Sequence, residues 1–499
     1  MLLLGIDVGT SSIKVSVVDA GTQQAVASAQ YPDSETPITS VKPGWAEQPP
    51  EMWWKHVQKA AMRCHDQKKY RPEDIAAIGI AYQMHGLVLV DKAQNVLRDS
   101  IIWCDSRAVE LGDKAFDSIG QERCLTHLLN SPGNFTASKL AWVKQNEPEI
   151  YAKIDTIMLP GDFIAMKLTG TVSSSISSLS EGVFYDFAEE SISADVLNHY
   201  EIREDLLPEI APVFSEHGYV TESAAQFLGV KKGIPVTYKA GDQPNNALSL
   251  NVLEPGEVAA TAGTSGVIYG VSDKLVYDDE SRVNTFAHVN YSGVEKRLGV
   301  LLCINGTGSL NRWIRETFGA ANSYAEMNKL AAQIPVGCEG LRILPFGNGA
   351  ERMLNNKQVG VHFHNIDLNL HTPAHIFRAA QEGIACAFRY GLDIMRENGM
   401  SPSVIKAGKA NLFLSDVFTK TFVNVTGVPV ELYHNDGSVG AALGAGIGAG
   451  IFSDASEAFT KMKPLQLIEP DGDDTIENVY QSWKALLEKQ LGQTETNKI

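Results

Sequence analysis

The chain has 499 residues, enough for two or three domains that each bury a core, with 44% apolar and 20% charged residues and a formal net charge of -17. An acidic surface repels nucleic acid and anionic membranes, and no run approaches the ~20 apolar residues a membrane helix needs. The six cysteines form no C-x-x-C pair, which argues against structural zinc or a disulfide framework and for a reduced, cytoplasmic setting; Asp7 breaks the apolar N-terminus before it could serve as a signal peptide.

Leu2 to Val8 is almost wholly apolar and predicts a buried strand that turns at Gly9-Thr10-Ser11 into a second strand, Ile13 to Val18. Glu51 to Cys64 has helical spacing through Trp53, Trp54, Val57, Ala60 and Ala61. Ile75 to Ile80 reads as a strand ending at Tyr82-Gln83-Met84-His85-Gly86, and Ile101-Ile102-Trp103 is another apolar run. Lys139 to Val143 lies on a helix, and Pro160-Gly161-Asp162 opens the next. Ile234 to Tyr238 is a strand that stops at Ala240-Gly241-Asp242. Asn and Pro cluster from Asn246 to Pro255, which divides the chain into domains 1–246 and 247–499.

The opening pattern then returns. Gly256 to Ala262 leads into Gly263-Thr264-Ser265-Gly266 and Val267 to Val271, so the tripeptide Gly-Thr-Ser stands twice at the tip of an apolar hairpin, half a chain apart. Leu341 to Pro345 and Val404 to Ala407 read as strands, and Ile376 to Met395 as a long helix with small residues on one face. From Val439 to Ile451 glycines recur four apart, which suits close approach of another backbone. The last thirty residues are polar and helical, fraying from Gln493 to Ile499. Alternating strands and helices give an α/β class, and the repeated hairpin suggests two domains of similar plan around a shared ligand.

Several chemistries find no motif here. A Walker A loop, the H-R-D set of protein kinases and a dinucleotide fingerprint are missing. The two Gly-Thr-Ser turns are the phosphate candidates, since successive amides in a tight turn form an anion-binding concavity. Asp7 at the end of a buried strand needs a partner, and magnesium held through water would supply one; a turn cap is the structural alternative. Asp242 also stands at a strand end, where ligands bind in open α/β sheets, and could accept a hydroxyl proton during phosphoryl transfer. Gln83, Met84 and His85 suit recognition of sugar hydroxyls, and Trp103 could wall a sugar face, against the plainer reading of a buried Trp beside an Asp105–Arg107 ion pair.

Together these segments resemble the FGGY family of carbohydrate kinases, and within it the xylulokinases, from Leu4 to about Ile451. Gly5-Ile6-Asp7-Val8-Gly9-Thr10-Ser11 and Lys14 look like the family's first phosphate hairpin, and Gly44-Trp45-Ala46-Glu47-Gln48 with Trp53-Trp54 is similar to the segment before its first long helix. Gln83-Met84-His85-Gly86 resembles the xylulokinase sugar motif, and Trp103-Cys104-Asp105-Ser106-Arg107 the W-x-D-x-R pattern of pentulose kinases. Thr136, Lys139, Trp142 and Val143 resemble the N-terminal signature. Gly241-Asp242-Gln243 looks like the catalytic-base segment, Gly263-Thr264-Ser265-Gly266 like the second phosphate hairpin, and Gly308 like a nucleotide-site glycine. Ala407-Gly408-Lys409-Ala410-Asn411 stands where the family has a triple glycine near adenine.

The resemblance implies two actin-like (ribonuclease H-like) ATPase domains around a central cleft, and an ATP-dependent kinase for a ketopentose, D-xylulose foremost, with another ketose or a polyol as alternatives. It implies Asp242 as base and Asp7 and Asp242 as water-mediated Mg2+ ligands. Met84, His85, Gln83, Trp103, Asp242 and Gln243 would meet the sugar; Thr10, Ser11, Lys14, Gly263, Thr264, Ser265, Gly308, Gly408 and Asn411 would meet ATP. The expected partners are a small sugar and ATP, with a homodimer open. Two rivals on the same fold are a non-catalytic sugar-responsive regulator, which predicts loss of the base or hairpins, and an actin-like conformational ATPase, which predicts extra partner-binding domains.

Overall fold

Leu2–Val8 forms strand β1, whose side chains are almost all buried, as a strand covered on both faces requires. The computed structural model describes residues 1–319, 323–472 and 475–496. Strand β1 pairs antiparallel with β2 (Ile13–Asp19), and β2 antiparallel with β3 (Gln24–Tyr31). On its other side β1 runs parallel to β4 (Ile75–Tyr82), and β4 parallel to β5 (Val236–Gly241), giving the order β5-β4-β1-β2-β3.

A second sheet repeats this plan. Strand β6 (Val258–Ala262) turns back into β7 (Gly266–Ser272); after β8 (Asn284–Ala287), strand β9 (Leu298–Ile304) lies antiparallel to β7. Strand β10 (Ile405–Gly408) runs parallel to β6, and β11 (Val430–Tyr433) parallel to β10. Thus β6, β7, β9, β10 and β11 take the places of β1 to β5, while β8 and β12 (Gln466–Ile468) add the two edges. The Gly-Thr-Ser repeat marks equivalent turns of two equivalent sheets.

Helices cover both sheets. Pro at N1 and the apolar stripe Trp53, Trp54, Val57, Ala60 and Ala61 start α1 (Pro50–His65) and bury it against the first sheet. Between β4 and β5 lie α2 (Thr136–Asn146), α3 (Pro160–Thr169) and α4 (Ile176–Glu181). Helix α5 (Asp242–Ser249) leaves β5 directly, so Asn246 to Ser249 completes a helix and the chain crosses between sheets in 250–257. The second half carries α6 (Gly308–Phe318) and the long α7 (Pro373–Glu397), whose small face packs in the second core. The glycine-rich run is α8 (Gly437–Gly448), and it packs on the first sheet although it follows the second in sequence. A Cβ on Gly5 would collide with the Ser438 carbonyl, and one on Gly79 with that of Ala441. The final helix α9 (Thr475–Thr496) continues past Gln493, and residues 497–499 lie outside the described residues.

Two local expectations differ. Strand β5 starts at Val236, because Pro235 has no amide to give the ladder and contributes only its carbonyl, to Ile78. The run at Ile101-Ile102-Trp103 yields only a two-residue strand, Ser100–Ile101, and Trp103 falls in the following turn, 51% exposed.

Candidate active site

Strands β1, β4 and β5 are parallel neighbours, so their C-terminal ends meet at one edge. The register pairs Asp7 with Ala81 and Gly241 with Tyr82, which brings Asp7, the segment after Tyr82 and Asp242 to one level. Asp242 is the first residue of α5. Burial, then the charge of Asp7, pushes its carboxyl up to about 7 against bonds from Gln243. Asp7 is pushed up to about 6 by burial and by Asp436, with Lys14 pulling it back. Lys14 itself is ion-paired with Asp436, the cap of α8, which reaches in beside Asp7: a Cβ on Gly437 would strike the Asp7 carboxylate.

The first Gly-Thr-Ser turn is braced from below. Thr10 Oγ1 donates to Gln83 Oε1 (3.0 Å) and accepts from Trp103 Nε1 (2.9 Å). Gln48 Nε2 donates to the Thr10 carbonyl (2.9 Å), while Gln48 Oε1 accepts from Trp53 Nε1 (3.0 Å) and Gln83 Nε2 (3.3 Å). Gln83 is therefore engaged at both ends of its amide, and the Thr10 hydroxyl is occupied; Ser11 is exposed at the tip.

Met84 and Glu181 lie against Gly241, next to Asp242, and His85 reaches the backbone of Glu181. Burial and the Lys139 charge hold the His85 imidazolium down to about 3, so the ring is neutral. Its Nδ1 lies 3.0 Å from the Glu181 carbonyl, which can only accept, so Nδ1 carries the proton and Nε2 offers a lone pair. Phe135 and, from β8 of the second sheet, Phe286 close on the ring at 4.9 and 5.4 Å. Glu181 has both carboxylate oxygens buried without a hydrogen-bond partner, and burial raises its pKa well above the usual range, opposed by the nearby Tyr82 hydroxyl. Oε1 of Gln243 is likewise a buried acceptor with no donor. Arg107 pairs with Asp105 (2.7 Å) and Glu47 (2.6 Å) and stacks on Trp45, so that ion pair is structural, while Trp103 stays half open.

The second turn faces a cavity of about 410 Å³ between β6, α6 and the 411–415 segment, large enough for a nucleotide. Gly263, Thr264, Gly308 and Asn411 line it; Ser265 and Gly408 do not. Gly308 must be glycine, since a Cβ would strike the Gly263 carbonyl; the amides of Gly308 and Ser309 donate to the Gly263 and Thr264 carbonyls (2.9 and 3.0 Å) and fix the turn. Glu351 holds the preceding loop by accepting from the amides of Asn305 (2.9 Å) and Gly306 (3.1 Å). Cys303, paired with Val267 just beyond the turn, lies within the field of Asp242, which links this lobe to the carboxylate edge.

Sequence profiles of the FGGY family of carbohydrate kinases match almost the whole chain, the N-terminal domain at residues 2–249 and the C-terminal domain at 258–449. The chain belongs to the FGGY family of carbohydrate kinases. It is similar to a xylulose kinase of Escherichia coli (strain K12), 29% identical over 465 residues, 93% of this chain and 92% of that protein. The crystal structure of xylulose kinase from Rhodospirillum rubrum matches with a TM-score of 0.86 at 26% identity over 99% of this chain and 100% of the other. Gluconate kinase from Lactobacillus acidophilus matches with a TM-score of 0.89 at 20% identity over 99% of each chain, a likeness of fold. The two repeated sheets are thus the two halves of an actin-like ATPase fold, and this kinase is a sugar phosphotransferase. Among the described residues no helix is long and apolar enough to cross a membrane.

A magnesium ion fits the carboxylate edge on the chemistry of its donors. Asp7 and Asp242 are two half-buried carboxylates, the charge of Asp7 bearing on Asp242, and a hard cation would balance them. Among the described residues no three His, Cys, Asp or Glu side chains are placed to hold a metal. Glu181, Phe286, Glu351 and Asp436 were not legible as site residues: each reaches the site through long-range packing, with no local motif to announce it.

Proposed function

We propose that this kinase phosphorylates D-xylulose on its terminal hydroxyl with ATP, giving D-xylulose 5-phosphate, with Asp242 as the general base. The observation that carries the reading is the pairing of Asp7 and Asp242 at the edge of the first sheet, beside the sugar-facing Met84 and His85. Raised to about 7, Asp242 is basic enough to take a proton from an alcohol as its oxygen attacks the γ-phosphorus, yet is ionised near neutrality. Neutral His85 offers Nε2 to a sugar hydroxyl, Gln243 offers its unpartnered Oε1, and Met84 and Trp103 supply apolar walls. Amides of the turn at Gly263, Thr264 and Ser265, with those beyond Thr10, cradle phosphate oxygens; Ser11 and Lys14 flank the first turn, and Asn411 lines the nucleotide cavity with Gly408 ending the adjacent strand. Asp7 and Asp242 would hold a magnesium ion, which would supply charge balance to the phosphates. Gln83 acts as a brace for Thr10.

Xylulose kinases among the relatives support D-xylulose, and the gluconate kinase on the same fold makes sugar acids the competing class. An ADP-release assay over pentuloses, hexuloses, polyols and aldonates tests the choice. D-Xylulose should give the highest kcat/KM; a higher value for gluconate, ribulose or glycerol overturns the substrate assignment while leaving the base in place.

A further inference from the structure

We infer that Lys139 is a positioning residue of the sugar site, whose ammonium locks the loop at 83–86 to the loop at 102–105. The inference rests on the sugar-kinase reading and concerns how the site is held. Lys139 lies on α2 with no exposed surface. A buried lysine ordinarily meets a carboxylate, as Lys239 meets Asp162 at 2.7 Å in the same half of the chain. Lys139 instead donates to two backbone carbonyls from different loops, His85 at 2.8 Å and Ile102 at 3.1 Å.

The first acceptor explains the arrangement. His85 has a φ of 61°, in the left-handed region that a histidine enters only at a cost. A charge-assisted bond on its carbonyl holds that conformation, and the ring is fixed separately by the Glu181 carbonyl, Phe135 and Phe286. The second acceptor precedes Trp103, whose indole bonds Thr10. One ammonium therefore sets the spacing between the neutral histidine and the tryptophan wall that face the sugar from two sides. Burial draws Lys139 down to about 7, while Asp105, Cys104 and Glu181 draw it up and Arg107 down, so the charge is balanced at longer range without occupying its donors.

The test compares Lys139→Met, which keeps length and removes all donors, with Lys139→Gln, which keeps one donating group. KM for D-xylulose and for ATP are measured separately, and hydrogen–deuterium exchange is followed in the full chain. Lys139→Met should raise KM for D-xylulose about tenfold or more, and Lys139→Gln less, with KM for ATP within about twofold of wild type. Exchange should quicken in 83–87 and 101–106 and stay unchanged in 258–304. Unaltered exchange in the two loops overturns the inference, as does a parallel rise of both KM values with faster exchange throughout. If Lys139→Met does not fold, the Lys139→Gln protein decides by the same two readings. Wild-type protein that fails to phosphorylate D-xylulose sinks the substrate reading, and the exchange result still decides the role of Lys139.

Discussion

Asp242 carries a conflict between stability and chemistry. Its carboxyl is raised from 3.8 to about 7 by burial and by Asp7, so the folded protein binds this proton more tightly than the unfolded chain. The native state is therefore favoured by this group below about pH 4, and that contribution is lost as pH rises through about 7. Asp242→Asn mimics the protonated form at every pH. Its Tm should exceed that of wild type above pH 7, and the gain should shrink toward pH 4, as thermal melts across that range will show. With Asp242 as the proposed base, the same ionisation should gate activity: kcat/KM should fall as pH drops through about 7, because a protonated Asp242 cannot accept the hydroxyl proton.

At the level of elements, the position of α8 matters most. Its glycines let the helix backbone press onto β1 and β4 at Gly5 and Gly79, and its capped N-terminus delivers Asp436 and Gly437 to the side of Asp7. Gly79→Ala should destabilise by about 1–3 kcal/mol, since its Cβ meets backbone that cannot move aside. Urea unfolding should show a lower midpoint with an unchanged slope. Much of this layer was legible beforehand. Leu2–Val8 begins and ends where its apolar run does, and the glycines four apart in 440–448 announced close packing. Which sheet they would pack against was not legible, because nothing near Gly444 in the chain names Tyr238 or Thr237 as its neighbours. Likewise Gln83 and His85 stood out as polar residues after a strand, but whether each faces ligand or protein depends on Gln48, Thr10 and Glu181, distant in sequence. Trp103 lies beyond the strand because the ladder with Glu47–Gln48 covers only Ser100 and Ile101, and the next backbone bond to that segment is from the Ile102 amide to Ala46.

Across the whole molecule the two halves share the proposed sugar site. Strand β8, an edge of the second sheet, is bonded by Asn130, Ser177 and Ser180 of the first half at Thr285 and Ala287, and these bonds present Phe286 to His85. Phe286→Ala, a change in the nucleotide-side sheet, should therefore raise KM for sugar more than KM for ATP, as separate titrations of each substrate will show. The direct test of the central claim is single-turnover phosphorylation of D-xylulose by Asp242→Asn, with ATP binding measured by calorimetry on the same protein. The account predicts a rate lowered about 10²–10⁴-fold with ATP affinity preserved. Turnover close to wild type would contradict it.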